Sequence, residues 1–171
     1  VIKIYIIGLI CESVFQYSLS TAWDMSTASY TSVSFSVAAQ DLSPSNALFK
    51  SDGTKMYVLG RTNKTVFQYS LSTAWNVSTA SYDSVSFSVN AEETSPSGIS
   101  FKSDGTKMYI IGSTSDTVFQ YSLSTAWDMS TASYDSVSFS VAAQDLSPSN
   151  ALFKSDGTKM YVLGRTNKMV F

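Results

Sequence analysis

The chain has 171 residues, of which 44% are apolar and only 14% charged, with 11 basic and 13 acidic side chains. The formal net charge of −2 excludes the basic footprint that nucleic acid or an anionic membrane requires. The chain has no histidine, so it lacks the commonest metal ligand and the commonest general base near neutral pH. Its one cysteine, Cys11, excludes an internal disulfide, and we expect it to be an incidental buried thiol.

The chain opens on an apolar stretch, Val1–Cys11, that superficially resembles the core of a signal peptide. Within this stretch, Lys3–Gly8 aligns with Lys55–Gly60, so we interpret it as part of a repeat. No stretch of the sequence is long enough to cross a bilayer, and we expect no membrane partner. Because the sequence lacks an initiator methionine, we expect a fragment or a processed chain.

A unit of 52 residues repeats along the chain. The sequence Val14–Trp23 returns at Val66 and again at Val118, both times after 52 residues. Val170–Phe171 begins a further copy at the same interval. A fixed period of this size indicates a solenoid, a propeller or another array.

Four strands are predicted in each repeat, and residues 95–145 show them in order. The first two are joined by Asp104–Gly105, the strongest two-residue hairpin signal, because that turn needs positive φ angles. The last strand alternates apolar and polar residues and therefore has one solvated face. The predicted strands are Gly98–Phe101, Lys107–Ile111, Thr117–Leu123 and Val137–Val141, with a long loop, Ser124–Tyr134, between the last two.

Four antiparallel strands, apolar on both faces near the middle and half-solvated at the outside, are typical of one blade of a β-propeller. Such a blade needs a neighbour on each face. A β-solenoid would need shorter rungs, and an immunoglobulin-like array is disfavoured by the tight Asp-Gly hairpin. We therefore predict an all-β chain, a β-propeller fragment built of four-stranded antiparallel blades.

The repeat also resembles a known family. The motif that runs from Pro96 through Asp104–Gly105 and Tyr109 to Thr117–Leu123 is similar to the YVTN, or lactonase-like, propeller repeat. That resemblance covers essentially the whole chain and implies a propeller fold, whereas activity does not follow from fold. The unit exceeds the usual blade by its Trp-containing loop. The near-identical copies are also similar to repeat regions of phage and environmental bacterial proteins.

On this fold the chain divides into four parts. Residues 1–41 supply strands two to four of a partial blade, residues 42–93 and 94–145 are complete blades, and residues 146–171 supply strands one, two and the start of three. Propellers close with roughly four to eight blades, so this chain is expected to form an open arc. Its expected partners are further blades of the same protein, or other copies that associate through the open blade edges.

Differences between repeats are concentrated at two connections. Residues 66–117 and 118–169 differ at 15 positions, of which seven lie within 90–100 and four within 113–117. In a propeller both connections emerge on one face, so we predict ligand binding there. Neutral drift in solvated loops is the alternative. The candidate ligand-binding residues on this face are Arg61, Asn63, Lys64, Glu92, Glu93, Ser113, Ser115 and Asp116.

Three tryptophans, Trp23, Trp75 and Trp127, recur in a Ser/Thr-rich loop at the repeat interval. They are candidates for stacking on sugar faces; the alternative is that each caps the edge of the neighbouring blade. No metal site or cofactor is predicted, because the Asp104–Gly105 pair serves the turn and supplies too few oxygen ligands for calcium. No catalytic constellation stands out.

We therefore predict a non-enzymatic module for multivalent binding or surface display, with a glycan or protein ligand, on a cell surface, in a secreted protein or on a virion. Two alternatives stay open. One is a lactonase-like enzyme with its site at the central channel, although the innermost strands, Asn46–Phe49 and Gly98–Phe101, are apolar. The other is a purely structural spacer.

Overall fold

The computed structural model describes residues 2–171, which form β-strands joined by tight turns and short 3-10 helices. Within these residues no helix has the length and apolar character needed to cross a membrane. The strands are β1 (Ile2–Gly8), β2 (Ser13–Leu19), β3 (Ala28–Ser36), β4 (Pro44–Phe49), β5 (Lys55–Gly60), β6 (Thr65–Leu71), β7 (Ala80–Ser88), β8 (Pro96–Phe101), β9 (Lys107–Gly112), β10 (Thr117–Leu123), β11 (Ala132–Ser140), β12 (Pro148–Phe153) and β13 (Met160–Gly164).

The strands form four separate antiparallel sheets in which each strand pairs with its neighbours in sequence. Two sheets are complete, with the orders β4-β5-β6-β7 and β8-β9-β10-β11. A three-stranded sheet, β1-β2-β3, precedes them, and a two-stranded sheet, β12-β13, follows. The predictions of an all-β chain and of four-stranded antiparallel blades are confirmed.

The Asp-Gly turn joins the first two strands of a blade, as its sequence predicts. Gly105 has a φ of +75° and its N–H donates to the carbonyl of Lys102 at 2.8 Å. The carboxylate of Asp104 accepts from the backbone N–H of Thr106 at 3.0 Å and so holds the turn from inside. Gly53 and Gly157 adopt the same conformation in the other repeats.

The fourth strand of each blade is longer than predicted. Strand β11 begins at Ala132 and not at Val137, so residues placed in the loop belong to the sheet. Its pairing with β10 shifts between Gln120 and Tyr121, and Ser136 has a φ of +57°. This bulge interrupts the alternation of apolar and polar residues, which is why the pattern predicted only the second half of the strand.

The sheets stack face to face, and three apolar clusters fill the spaces between them. One lies between the first and second sheets and includes Val14 and Phe67. A second joins the two complete sheets through residues such as Tyr57 and Ile110, and a third lies between the third and fourth sheets. The core is therefore made of interfaces between blades, which is the packing that a propeller requires.

The two outermost sheets expose part of their apolar surface. Ile6 of β1 is 50% exposed, and Leu152 of β12 is 56% exposed. Cys11 is exposed, so the expectation of a buried thiol was wrong. The reason is local: Cys11 lies in the turn between β1 and β2, at the surface of the first sheet.

Candidate functional site: the loop face

The connections from the fourth strand of one blade to the first strand of the next meet the turns between second and third strands. We call the surface formed by residues 37–43, 61–64, 89–95, 113–116 and 141–147 the loop face. Thr94 and Thr114, from the two kinds of connection, lie 3.1 Å apart through their hydroxyl oxygens. The two zones in which the repeats differ therefore share one surface of the molecule.

Glu93 holds the loop face of the third sheet together from below. Its side chain is fully buried, and its carboxylate accepts from the backbone N–H groups of Ser95 at 2.7 Å, Thr114 at 3.3 Å and Ser115 at 3.1 Å. The hydroxyl of Ser115 donates to the same carboxylate. Glu93 thus satisfies the polar groups of a tight turn and has no exposed surface to offer a ligand.

Aspartates take this position in the other two repeats. The carboxylate of Asp41 accepts from the backbone N–H of Asn63 at 2.7 Å, and the amide of Asn63 reaches the carbonyl of Gln40 at 2.5 Å. In the last repeat, burial alone raises the pKa of the Asp145 carboxyl, but backbone N–H donors, led by Asn167, outweigh it and hold the pKa below its usual value.

One glycine in each repeat makes room for this carboxylate. A Cβ on Gly60 would lie 2.4 Å from a carboxylate oxygen of Asp41, and a Cβ on Gly112 would lie 2.3 Å from the carboxyl carbon of Glu93. The carboxyl groups of the short and the long side chain therefore occupy the same place. Glu comes with Ser115, whose hydroxyl donates to that carboxylate, and Asp comes with Asn63, whose amide donates to the Gln40 carbonyl. We expect side-chain lengths at the two positions to compensate.

Arg61, Ser95 and Ser113 form a polar cluster across the seam between the two complete blades. The Nη2 of Arg61, from the β5–β6 turn, donates to the hydroxyl of Ser95 at 3.1 Å. The hydroxyl of Ser113 lies 3.3 Å from the same oxygen. A guanidinium and two hydroxyls therefore converge from two blades, and Arg61 and Ser113 are half-buried.

Glu92, also on the loop face, contacts a buried tyrosine. The hydroxyl of Tyr121 donates to the Glu92 carboxylate at 3.2 Å, as Tyr69 does to the side-chain oxygen of Gln40 in the preceding repeat. Burial raises the pKa of Tyr121, and the charge of Glu92 adds to the shift. The tyrosine is consequently a hydrogen-bond donor here and not a base.

Asp116 occupies a strained corner of the β9–β10 turn. Its φ is +48°, and one carboxylate oxygen is buried without a hydrogen-bond partner within residues 2–171. Burial raises the pKa of Asp116, and the carboxylates of Glu93 and Asp145 add to the effect. Lys64 has the corresponding backbone conformation, with a φ of +49°, in the preceding repeat.

The tryptophans lie on the opposite surface, formed by the Asp-Gly turns and the Trp loops, which we call the hairpin face. Trp127 packs against Tyr57 of the preceding blade and Phe101 of its own, with ring centroids 6.0 Å and 5.2 Å apart. Trp75 is 36% exposed and makes equivalent contacts, whereas Trp23 is 96% exposed. The structure therefore separates the tryptophans from the other candidate residues.

The Asp-Gly turns on the hairpin face are held by local hydrogen bonds. Hydrogen bonds from Lys102 and then Thr106 hold the pKa of Asp104 well below its usual range, with the Lys102 ammonium 2.6 Å away. Within residues 2–171 no group of three or more His, Cys, Asp or Glu side chains is placed to hold a metal ion.

Sequence comparison missed two residues. Ser95 is the shared partner of Arg61 and Ser113, but every repeat has serine at this position (Ser43 and Ser147), so a search for differences passes over it. Gln68 is buried and accepts from the backbone N–H of Met129 in the next blade at 2.9 Å. Its polarity within an apolar strand was the available signal.

This architecture is that of a β-propeller segment. No family model matches the chain, and no curated protein matches it in sequence. Solved structures do match its fold. A candidate 6-phosphogluconolactonase from Bacteroides uniformis is 11% identical, with a TM-score of 0.67 over 98% of this chain and 46% of its own.

Two further structures show the same relation. A periplasmic gluconolactonase from Pseudomonas aeruginosa is 12% identical, with a TM-score of 0.63 over 97% of this chain and 45% of its own. A protein from Lactobacillus plantarum is 14% identical, with a TM-score of 0.65 over 99% of this chain and 50% of its own. The chain has the fold of the lactonase-like β-propellers, which confirms the predicted resemblance at the level of fold, and it spans about half the length of these structures.

Proposed function

We propose that this chain is a non-enzymatic binding module that recognises its ligand through the loop face. The proposal rests on one observation above all: Arg61 and Ser113, which occupy a position that differs between near-identical repeats, converge on the invariant Ser95 at the seam of two blades. Binding residues are commonly carried on loops that a rigid scaffold positions, and these loops are anchored from below by a buried carboxylate.

The chemistry of the cluster favours an acidic glycan as ligand. A guanidinium offers several N–H donors in a fixed plane and pairs well with a carboxylate, while hydroxyls donate to and accept from sugar hydroxyls. The Arg61 guanidinium is held by Ser95 at 3.1 Å, so part of the entropy cost of ordering it is already met before binding. A protein surface that presents a carboxylate is the second ligand class.

Each such site is small, so useful affinity requires several sites acting together. Within residues 2–171 the Arg61–Ser95–Ser113 cluster occurs at one seam, so the several sites would come from several copies of the module, whose linked weak sites gain avidity through effective concentration. We propose that the module works outside the cell or on a virion surface, where glycans and protein surfaces are displayed in many copies.

The test is a glycan array that includes acidic and neutral sugars, probed with the chain and two variants. Arg61→Ala is expected to weaken binding about tenfold, since it removes a charge-assisted contact. Arg165→Ala is the matched control: Arg165 is exposed and has the same backbone contact, N–H to the carbonyl of Ser147, as Arg61 has to Ser43. Equal losses for both variants would contradict the seam site, and absence of any ligand would favour a structural spacer.

A lactonase-like activity is the competing proposal, supported by fold alone. The names of two matched structures refer to gluconolactonases, at identities of 11% and 12%. The residues at the inner edge of the complete blades are mainly apolar, for example Leu48 and Ile99, and supply no pair of acid and base. We expect no acceleration of gluconolactone hydrolysis above the buffer rate; a saturable rate would reverse our preference.

A further inference from the structure

Each tryptophan of the two complete blades lies in an aromatic receptor built from two blades. For Trp127 the receptor consists of Tyr57, Phe101 and Gly105. The Tyr57 hydroxyl donates to the backbone carbonyl of Trp127 at 2.6 Å, and the backbone N–H of Trp127 donates to the carbonyl of Gly105 at 3.0 Å. The indole covers Gly105 so closely that a Cβ there would lie 2.3 Å from it.

The same receptor recurs one repeat earlier. Trp75 contacts Tyr5 and Phe49, with ring centroids 6.4 Å and 5.8 Å away, and covers Gly53. The Tyr5 hydroxyl donates to the backbone carbonyl of Trp75 at 2.6 Å, and the backbone N–H of Trp75 donates to the carbonyl of Gly53 at 2.9 Å. Burial raises the pKa of Tyr5 to about 12, so the hydroxyl stays protonated and can donate.

A third receptor is present without a tryptophan over it. Tyr109 and Phe153 pair with ring centroids 4.3 Å apart, close to the 4.8 Å of Tyr57 and Phe101 in the filled receptor. No atom of residues 2–171 lies within 4 Å of a Cβ built on Gly157. A groove of about 590 Å³ opens there, lined by Tyr109, Phe153 and Gly157.

The opposite end of the molecule carries a tryptophan without a receptor. Trp23 is 96% exposed, and Met25 beside it is 66% exposed, whereas the corresponding Met129 is fully buried. The loop sequence around Trp23, Ser20–Asp24, is identical to that around Trp127. The Trp23 loop in the first sheet and the Tyr109–Phe153–Gly157 receptor are thus both uncovered within residues 2–171. The equivalent loops and receptors of the complete blades cover each other.

We propose that a second copy of this chain docks head to tail, with its Trp23 loop in the Tyr109–Phe153–Gly157 receptor of the first. The repeat register assigns the contacts. The Tyr109 hydroxyl donates to the backbone carbonyl of Trp23, and the backbone N–H of Trp23 donates to the carbonyl of Gly157. The backbone N–H of Met25 donates to the side-chain oxygen of Gln120. This last contact repeats the bond from the Met129 N–H to the Gln68 side chain, at 2.9 Å.

Charge supports the same docking. The loop that carries Trp23 also carries Asp24, and the corresponding Asp128 lies close enough to Lys55 for that ammonium to contribute to lowering its pKa, after the hydrogen bonds from Ser130. In the receptor the residue that corresponds to Lys55 is Lys107, which lines the groove. Lys107 is paired with Asp135 at 3.1 Å as Lys55 is with Asp83, so a docked Asp24 would meet the same set of charges that Asp128 meets inside the chain.

Strand β1 of the docking copy replaces β13 in the receiving copy, because the two strands hold the same place in the repeat. β13 pairs with β12 through Phe153 and Met160 at one end, and β1 offers an equivalent strand for that pairing. Displacing β1 instead would remove Tyr5 from Trp75, a contact that the docking copy needs. The exchanged blade then has the order β12-β1-β2-β3.

Two copies joined twice in this way contain the strands of six four-stranded blades. Each chain holds two complete sheets, and its β12 and its β1-β2-β3 each complete one blade shared with the other copy. Six lies within the roughly four to eight blades with which propellers close. A head-to-tail contact that closes gives a discrete assembly.

Light scattering after size exclusion, over a dilution series, tests the docking. The chain is expected to reach a mass of at least twice 18.6 kDa. Trp23→Ala should raise the dissociation constant about 30-fold or more, because buried tryptophans at interfaces are hot spots. Leu42→Ala is the control, since Leu42 is 64% exposed but lies on the loop face. A monomer at all concentrations, or equal effects of both variants, overturns the proposal.

The receptor side is tested with Tyr109→Phe, which keeps the ring and removes the hydroxyl. It should weaken association about fivefold, the value of one hydrogen bond. Hydrogen exchange of the wild-type chain then reports the strand exchange. The Val162 N–H, which donates to the carbonyl of Phe171 at 3.0 Å, should lose protection as the chain associates. Unchanged association in Tyr109→Phe, or unchanged exchange at Val162, contradicts the assigned geometry.

Discussion

The pairing of Glu93 with Ser115 can be tested by converting it to the pairing used in the other repeats. Glu93→Asp shortens a buried side chain by one methylene, which withdraws the carboxylate by about 1.5 Å. Ser115→Asn introduces the side chain that accompanies Asp41 and Asp145 in the form of Asn63 and Asn167. We expect each single change to destabilise the fold and the double change to restore most of the loss.

The magnitudes follow from the contacts of Glu93. Its carboxylate accepts three backbone N–H groups and the Ser115 hydroxyl inside a fully buried site. Glu93→Asp stretches or breaks these bonds and should lower the free energy of unfolding by about 2 kcal/mol. Ser115→Asn alone crowds the turn and should cost about 1 kcal/mol. The double variant should lie within about 1 kcal/mol of wild type, a coupling of about 2 kcal/mol.

Urea unfolding followed by far-UV circular dichroism measures the four proteins of this double-mutant cycle. The slope of the transition should be the same for all, so that the midpoints report stability. If the two single losses add to within about 0.5 kcal/mol in the double variant, the residues are independent and the proposed compensation of side-chain length is wrong.

Five other substitutions, in three tests, probe the remaining parts of the structure. Burial raises the Asp116 pKa above its unfolded value of 3.8, so the folded state favours the protonated form and stability is lost as pH rises through that range. Asp116→Asn should therefore raise the thermal midpoint at pH 7 and have little effect below pH 3.8; a constant difference across pH would contradict this. Gly105→Ala and Gly157→Ala impose the same backbone strain, at φ of +75° and +72°, but within one chain only the first meets an indole. At concentrations where the chain is monomeric, it should therefore cost at least about 1 kcal/mol more in urea unfolding. Equal costs would show that the Trp127 contact is not rigid. Trp127→Ala should cost about 3 to 5 kcal/mol and Trp23→Ala less than about 0.5 kcal/mol at concentrations where the chain is monomeric, measured in the same way; a large effect at Trp23 would mean that it packs within its own chain.

Much of the fold follows from the sequence because its strongest signals are local or periodic. The Asp104–Gly105 pair defines a hairpin without reference to the rest of the chain, and the period of 52 residues repeats that hairpin in register. The start of β11 at Ala132 could not be predicted in this way. It depends on a bulge at Ser136, whose positive φ is set by pairing with β10 and leaves no residue signature such as glycine.

The candidate site was less predictable, because a residue's role there depends on which neighbour it meets. Glu93 and Arg61 both belong to variable loops, yet Glu93 is fully buried beneath a turn while Arg61 is half-buried at a seam. The two tryptophans Trp23 and Trp127 have identical flanking sequences and opposite exposure, since only one of them has a preceding blade in residues 2–171. Contacts between blades, which the sequence does not reveal, determine how far each of these side chains is buried.

The same contacts explain why most differences between repeats lie on the loop face and few on the hairpin face, such as Asn76 against Asp128. On the hairpin face each tryptophan needs a tyrosine from the preceding blade and a phenylalanine and glycine from its own, as Trp127 needs Tyr57, Phe101 and Gly105. A change in one repeat therefore loosens the next, and a single substitution is penalised at two blades. On the loop face the buried carboxylate contacts the turn of one blade only, as Glu93 contacts Thr114 and Ser115 of the β9–β10 turn. There, one substitution in the turn is expected to compensate for a change of the buried carboxylate. The loop face is therefore the surface on which a repeat can acquire new chemistry without disturbing its neighbours.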